Sequence, residues 1–269
     1  MRLRQIVFTV TASLLTASLS FAASKEEVRV LDSADIIDQL LHIPEQGVPA
    51  RLFSSAYGVA VIPRVLKVGF GLGVRYGRGV VVVRQPDNTW SNPAFIKLTG
   101  GSLGLQAGAQ SADIVLVFKT RSSIDGITSG KLTLGADAAV AAGPVGRFAE
   151  AATDWTFSSE VYSYSRSRGL FAGLALQGAG ITMDRPANAA FYGSAGITPD
   201  AIFASSGNAA PAAANTFVQV LTAQTNNLPI GPSVTANIVP MSYPEPEEKN
   251  VAKVRTFGMN ANPDNDLRN

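Results

Sequence analysis

The chain has 269 residues, of which 46% are hydrophobic and 16% charged, which is enough apolar material for one well-buried domain or two small ones. It contains no cysteine and one histidine, His42, which excludes disulfides, thiolate metal sites, a cysteine nucleophile and a histidine-rich metal site. The formal net charge is +2, and without Arg2 and Arg4 there are 20 basic and 20 acidic residues, so binding to nucleic acid or an anionic membrane requires a local basic patch.

Residues 1–22 have the features of a secretory signal peptide. Arg2 and Arg4 form a positive start, an apolar run follows, and Ser20-Phe21-Ala22 is a small-x-small cleavage site. A membrane anchor is the alternative, but the run contains several Thr and Ser and is shorter than the roughly 20 apolar residues that a span requires. We therefore predict cleavage after Ala22 and a periplasmic or secreted mature protein.

An amphipathic helix is predicted for residues 24–43. Ser24 and Glu27 have the spacing of a capping box. Apolar residues then recur with helical periodicity at Val30, Leu31, Ala34, Ile37, Leu40 and Leu41. The polar face is mainly acidic, whereas helices that lie on membranes usually carry Lys and Arg there. Packing of this helix against the domain's own sheet is therefore favoured.

A short second helix is predicted at 50–56, and from Tyr57 onward the pattern becomes that of β-strands. The apolar run at 59–62 is followed by Pro63, which would end a strand or lie at an edge. Residues 67–76 then alternate: apolar side chains occupy the even positions, and Lys67, three glycines and Arg75 occupy the odd ones. Turns are predicted at 77–79 and 86–88. The glycine face leaves room for another layer of the protein or, less often, a ligand.

From Pro93 to Gly193, short β-branched runs separated by glycine predict many strands joined by tight turns. The predicted strands are 94–99, 102–107, 113–119, 132–134, 138–142, 155–165, 170–175 and 180–183, with helical segments at 122–127 and 186–192. Short connections imply mainly antiparallel pairing, and the glycine content favours curvature. The predicted class is α+β, with a mainly antiparallel, strongly curved Gly-rich sheet or barrel covered by a few helices.

The same segment carries a series of motifs in a fixed order. The motifs are Trp90-x-x-Pro93-x-Phe95, Gly101-Ser102-x-Gly104-x-Gln106-x-Gly108, Asp113-Ile114-Val115, Gly143-Pro144-Val145-Gly146-Arg147, Thr153-Asp154, Tyr162-Ser163-Tyr164-Ser165-Arg166-Ser167-Arg168-Gly169-Leu170-Phe171-x-Gly173 and Asp184…Asn188…Phe191-Tyr192-Gly193. Through these motifs the chain resembles the SYLF family. With its flanks, the resemblance covers residues 34–221. It implies a lipid-associated, non-enzymatic domain, because the family is described as lipid-binding and, in fungi, actin-bundling. An exported protein would not ordinarily meet actin, so that activity is not transferred.

The remainder of the chain completes the predicted organisation. Residues 193–208 are predicted to form a loop, and residues 211–225 a final helix. Beyond residue 226, many prolines lie among Asn and charged residues, which predicts a largely disordered tail. The chain is therefore divided into a signal peptide at 1–22, a single SYLF-like domain at 23–225 and a Pro/Asn-rich tail at 226–269.

Neither nucleotide binding nor catalysis is indicated. Gly69-x-Gly71-x-Gly73 and Gly100-Gly101-x-x-Gly104 lack the spacing and the strand–loop–helix context of nucleotide-binding loops. Carboxylates that could serve as acids or metal ligands are Asp113, Asp125, Asp137, Asp154 and Asp184, and no spacing fixes any two of them together. We therefore predict no catalytic residue, no metal site and no cofactor.

Basic residues form two groups that could bind phospholipid headgroups. The first group, which includes Arg64, Lys67 and Arg75, lies between Glu45 and Asp87 in a stretch without acidic residues. In the second group, Arg166 and Arg168 follow Tyr162 and Tyr164 at alternate positions, so all four share one strand face. Arg donates paired hydrogen bonds to phosphate oxygens, and Tyr is suited to the boundary between lipid and water. The predicted lipid-binding residues are Arg64, Lys67, Arg75, Tyr162, Tyr164, Arg166 and Arg168. The alternative is structural pairing of the second group with Glu150, Asp154 and Glu160.

These observations predict an exported, non-enzymatic, lipid-associated protein whose partner is a phospholipid or membrane surface. The alternative is a structural or protein-interaction module of the cell envelope, with an envelope protein as its partner. No nucleic-acid partner is expected.

Overall fold

The computed structural model describes residues 23–42, 50–144, 158–167, 170–174, 176–205 and 210–225. The predicted signal peptide and tail lie outside these ranges. The helices are α1 (Lys25–His42), α2 (Ala50–Ser54), α3 (Arg121–Ser129), α4 (Arg185–Tyr192), α5 (Pro199–Ala204) and α6 (Ala212–Thr225). The strands are β1 (Gly58–Val83), β2 (Ala94–Phe118), β3 (Lys131–Thr133), β4 (Val140–Ala142), β5 (Val161–Ser167), β6 (Leu170–Gly173) and β7 (Gly180–Met183).

Helix α1 begins at the predicted capping box. The backbone N–H of Ser24 donates to Oε2 of Glu27 at 2.7 Å, and the N–H of Glu27 donates to Oγ of Ser24 at 3.1 Å. The apolar stripe is fully buried at Val30, Ala34, Ile37 and Leu40. It packs against both β1 and α6. The predicted packing on the domain's own sheet is therefore confirmed, with a second helix as a further partner.

The centre of the fold is one long antiparallel hairpin. β1 pairs with β2 from Gly58 opposite Phe118 to Val81 opposite Ala94. The three strands predicted at 94–99, 102–107 and 113–119 are thus parts of one strand. The turn predicted at 86–88 is present, because the N–H of Asn88 donates to the carbonyl of Gln85 at 2.9 Å.

Two predicted interruptions of β1 are wrong. Pro63 does not end the strand, since a bulge between Ile62 and Val65 leaves Pro63 out of the ladder, where its missing N–H costs nothing. Residues 77–79 are not a turn but remain paired with β2. Their glycines instead permit a close contact: a Cβ atom on Gly77 would lie 2.7 Å from Cγ2 of Val65. The two halves of β1 therefore pack against each other, and the hairpin is folded on itself.

The remaining strands extend the sheet from the edge of β2 that lies opposite β1. The order is β3-β7-β2-β5-β4, with β1 paired to β2 and β6 paired to β5. β7 pairs with the start of β2, and β5 pairs with its end. All these pairs are antiparallel except β4 with β5, which is parallel. The predicted α+β class with a mainly antiparallel, strongly curved sheet is confirmed, and the sheet has the form of a curled half-barrel.

Outside residues 66–76 and 99–112, both faces of the β1–β2 hairpin are covered, because neighbouring residues along each strand pack in different cores. Val80 and Val82 pack in the core that contains α1 and α6, whereas Val81 packs in the core that contains α3 and α5. Helix α5 lies within the predicted loop at 193–208. Its start signal was present in the sequence: Thr198 accepts the N–H of Ala201 at 3.2 Å, and Pro199 follows Thr198.

Candidate functional site

The middle of the β1–β2 hairpin forms a two-stranded ribbon. Residues 65–75 of β1 pair with residues 100–112 of β2. β7 joins β2 only as far as Thr99, and β5 joins it only from Asp113. Within the described residues, no third strand pairs with this part of the hairpin. We call residues 65–75 and 100–112 the ribbon arm.

Arg64 lies at the bulge where the ribbon arm leaves the sheet. Its φ is 49°, and its backbone N–H donates to Oδ1 of Asp113 at 2.9 Å. Its guanidinium donates to Oδ2 of Asp32, on α1, at 2.7 Å. The side chain of Arg64 is 51% exposed, whereas that of Asp32 is 7% exposed. The carboxylate is therefore withdrawn into the protein while the cation reaches solvent.

A second ion-pair group has the same asymmetry. Asp184 caps α4 by accepting the N–H of Ala187 at 3.4 Å, and it lies 3.1 Å from Nζ of Lys97 and 3.7 Å from Nε of Arg78. Asp184 is 3% exposed and Arg78 is 41% exposed. Nε of Arg78 also donates to the hydroxyl of Tyr76 at 2.6 Å, and this hydrogen bond is the largest cause of a raised pKa for Arg78. Here again the acid is buried and the arginine is accessible.

Lys67 and Arg75 lie within the ribbon arm. Lys67 stands opposite Gln110, and Arg75 stands opposite Gly100. Both side chains are partly buried, and burial lowers the pKa of Arg75. The structure therefore places three of the predicted residues, Arg64, Lys67 and Arg75, on or beside one element.

The tyrosines of β5 are core residues. Tyr162 and Tyr164 do share a strand face, but they are 5% and 0% exposed and pack in the core that contains α1. The Tyr164 ring lies against Gly143, where a Cβ atom would be 2.0 Å from its Cζ, and its hydroxyl donates to the carbonyl of Pro144 at 3.2 Å. Burial raises the pKa of Tyr164. In this structure neither ring is accessible to a headgroup in solvent.

Arg166 is held by side chains of the protein. It stands opposite Asp113 in the β2–β5 ladder, and its Nε and Nη2 each lie 2.8 Å from Oδ2 of that residue. Its Nη1 donates to Oε1 of Gln39, on α1. Asp113 is thus an acidic partner of Arg166, and it was not among the partners considered from sequence. Arg168 falls outside the described residues, as do Glu150 and Asp154.

One face of the hairpin carries exposed apolar side chains that the sequence analysis did not assign to a site. The exposed fractions are 46% for Leu66, 41% for Val68, 66% for Val74 and 43% for Tyr76. The residues opposite them on β2 are small, namely Ser111, Ala109, Gly101 and Thr99. Directly opposed residues share a face, so small partners leave the larger side chains uncovered. The alternation at 67–76 predicts an apolar face and a glycine face, and the structure shows that the apolar one is exposed.

An open cavity of about 680 Å³ lies between α2, the β1–β2 turn, α3 and α5. Its charged lining residues are Arg84, Lys119, Arg121, Asp125 and Asp200. Arg84 donates to the carbonyls of Phe53 at 2.8 Å and Ala56 at 3.0 Å, and its guanidinium lies 4.4 Å from the ring centroid of Trp90. Burial lowers the pKa of Arg84. The cavity is lined by charges of both signs, and Arg84 is already bonded to the protein, so the lining favours neither an anionic nor a cationic ligand.

A search of the described ranges finds no group of three or more His, Cys, Asp or Glu side chains arranged to hold a metal ion. The same part of the chain contains no helix with the length and apolar character needed to cross a membrane.

Residues 99–224 match the family described as "Ysc84: Las17-binding protein actin regulator". The chain is 40% identical over 152 residues to "Protein YSC84" and 39% identical over 152 residues to "LAS seventeen-binding protein 3", both of Saccharomyces cerevisiae. It is 36% identical over 150 residues to "SH3 domain-containing YSC84-like protein 1" of Homo sapiens. Each alignment covers 55% of this chain, but only 32%, 33% and 44% of the three relatives respectively. The chain therefore spans less than half the length of these relatives.

Proposed function

The chain belongs to the Ysc84 (SYLF) family, and we propose that it is an exported, non-enzymatic protein that binds anionic phospholipid surfaces. A family description that names binding and regulation supports a binding role rather than a catalytic one. The signal peptide predicted at residues 1–22 supports export.

Two arginines at the base of the ribbon arm support the choice of an anionic surface. Arg64 and Arg78 are 51% and 41% exposed, whereas their partners Asp32 and Asp184 are 7% and 3% exposed. A phosphate that approaches from solvent meets the guanidinium groups first, because the carboxylates lie behind them. Arginine is suited to phosphate through parallel N–H donors.

The surrounding sequence strengthens this local positive charge. Residues 46–86 and 88–112 contain no acidic residue, and they include Lys67 and Arg75 of the ribbon arm. A mature chain with balanced charge has no overall attraction for an anionic membrane, but a region of this kind creates a local positive potential. We propose that Arg64 and Arg78 contact headgroups, and that Lys67 and Arg75 contribute to the potential.

Vesicle sedimentation tests the proposal. The full chain should pellet with vesicles of phosphatidylcholine mixed with phosphatidylglycerol, and not with vesicles of phosphatidylcholine. Binding should weaken as salt rises, because exposed charges are screened over about 8 Å at physiological ionic strength. Failure of the folded full chain to pellet with either vesicle contradicts the proposed function.

A matched pair of variants tests the site itself. Arg78→Gln should weaken binding to anionic vesicles about fivefold, since one basic residue near a charged membrane contributes roughly 1 kcal/mol. Arg121→Gln is the control, because it changes the net charge equally but removes a 75% exposed arginine whose partner, Asp125, is itself 59% exposed. Equal effects of the two substitutions would mean that net charge, rather than this site, governs binding.

A protein-interaction module of the cell envelope is the second candidate. The family description and the name of one yeast relative, "LAS seventeen-binding protein 3", refer to binding of another protein, which supports this class of function. A photo-reactive amino acid at Val74 tests it in cells that export the chain. A specific protein adduct, together with no binding to anionic vesicles, would favour this candidate over the first.

A further inference from the structure

We propose that the ribbon arm is the element that enters the membrane, with its Leu66, Val68 and Val74 and the adjoining Tyr76 in the interfacial layer of an anionic bilayer. This inference rests on the proposed function and goes beyond it. Headgroup binding requires only cations, whereas the structure also presents an apolar surface next to them. We call these four side chains the apolar row.

The geometry of the ribbon arm makes the apolar row accessible. The four residues all have even numbers in β1. Between Val65 and Val81, the pairing of β1 with β2 shifts only between Gly69 and Gly71. The additional residues at that shift belong to β2, so the alternation of faces along β1 is not interrupted. They therefore share one face of the strand. Their exposed fractions lie between 41% and 66%. Groups of exposed apolar side chains on one face of a protein mark contact sites for proteins or membranes.

The surroundings of two neighbouring glycines show which face of the ribbon arm is covered by the protein. A Cβ atom on Gly100, opposite Arg75, would lie 3.0 Å from Cα of Ala179. A Cβ atom on Gly101, opposite Val74, would meet no atom within 4 Å. The face with Arg75 thus has a protein neighbour at the base of the ribbon arm. The face with Val74 is open within the described part of the chain.

The charges beside the apolar row favour a bilayer as its occupant. Arg78 has the same parity as Tyr76 in β1 and is bonded to its hydroxyl, and Arg64 lies where the ribbon arm begins. An apolar surface bordered by exposed arginines is complementary to lipid chains beneath anionic headgroups. Tyr76, whose ring belongs to the apolar row and whose hydroxyl accepts a hydrogen bond from Arg78, suits the boundary between the two layers.

Replacement of valine by threonine on the apolar row tests this inference with little change in shape. In the full chain, Val68→Thr combined with Val74→Thr retains β-branched side chains, and both sites are exposed, so stability should hold. Each substitution replaces a methyl group by a hydroxyl, and the pair should weaken binding to phosphatidylcholine–phosphatidylglycerol vesicles about tenfold. Val68→Ile combined with Val74→Ile is the matched variant, which enlarges the apolar row and should bind at least as tightly as the parent.

A tryptophan reporter distinguishes the two faces of the ribbon arm. With anionic vesicles, Val74→Trp should give a blue-shifted emission that brominated lipid quenches. Gln110→Trp is the control, because Gln110 is exposed and stands opposite Lys67, on the other face. Its emission should neither shift nor be quenched.

The outcomes separate this inference from the proposed function. If the parent does not bind anionic vesicles, both fail. If the parent binds and the folded threonine variant binds equally well, or if the Val74→Trp reporter is not quenched, the arm does not insert and headgroup binding alone remains. If the threonine variant binds vesicles normally but loses self-association on a sizing column, the apolar row contacts a second copy of the chain, and the inference is overturned.

Discussion

Gly79 packs directly on the backbone of Val61, and a Cβ atom on Gly79 would lie 2.1 Å from the carbonyl oxygen of Val61. The two residues belong to the same strand, so their contact shows that the hairpin is folded onto itself. The backbone of Val61 cannot move aside as the end of a flexible side chain can. We expect Gly79→Ala to lower the free energy of unfolding by about 3 kcal/mol or more, measured by urea denaturation.

Gly101→Ala is the control for Gly79→Ala. Gly101 also lies in the paired hairpin, but a Cβ atom there meets nothing within 4 Å. This variant should be as stable as the parent or gain about 0.5 kcal/mol, since alanine costs less backbone entropy than glycine in a strand. Equal stability of the two variants would contradict the folded form of the hairpin.

Arg166→Ala should act on stability rather than on lipid binding. It leaves Asp113 and Gln39 without the guanidinium that holds both, and Asp113 is only 15% exposed. We expect a loss of about 1–3 kcal/mol in the free energy of unfolding. Anionic vesicle binding by the folded variant should match the parent. Weaker binding at unchanged stability would instead support the headgroup role predicted for Arg166 from sequence.

Two substitutions separate the roles of Asp184. Asp184→Ala removes the cap of α4 and the partner of Lys97 and Arg78, and should cost about 2 kcal/mol or more. Asp184→Asn keeps an oxygen that can accept the N–H of Ala187, so its loss in thermal stability should be smaller. If both variants lose the same stability, the ion pairs dominate and the cap contributes little.

Processing of the N-terminus is tested by mass. We predict that the exported chain begins at Ala23, because the positive start, the short apolar run and Ser20-Phe21-Ala22 form a signal peptide. Intact-mass measurement of protein recovered from outside the cytoplasm should show this species. Recovery of the exported chain with Met1 retained would refute cleavage.

Elements whose signals lie a few residues apart could be predicted from the sequence. The Ser24–Glu27 capping box, the turn at Asn88 and strand β7 all form where their local patterns indicate. The fold class was predicted from the same kind of signal, since β-branched runs separated by glycine indicate short connections and a curved sheet. Local signals depend on neighbours along the chain, and those neighbours are present in any conformation.

The candidate site depended on contacts that no local pattern contains. Arg64 and Asp32 are 32 positions apart, and Arg166 and Asp113 are 53 positions apart, so only the fold decides which acid neutralises which arginine. Gly77 and Gly79 have the composition of a turn, yet they lie inside β1 because the folded hairpin brings its own backbone against them.

The alternation of β-strands shows why the two faces could not be assigned in advance. A period of two separates one face from the other but does not reveal which face a second layer covers. Tyr162 and Tyr164 alternate with serines and are buried, because their face lies in the core that contains α1 and α6. Val68 and Val74 alternate with glycine and basic residues in the same way, yet they are exposed. The sequence by itself determined that these residues are extended and have two faces; the tertiary structure decided the length of each strand and the burial of each face, because both depend on which distant element packs there.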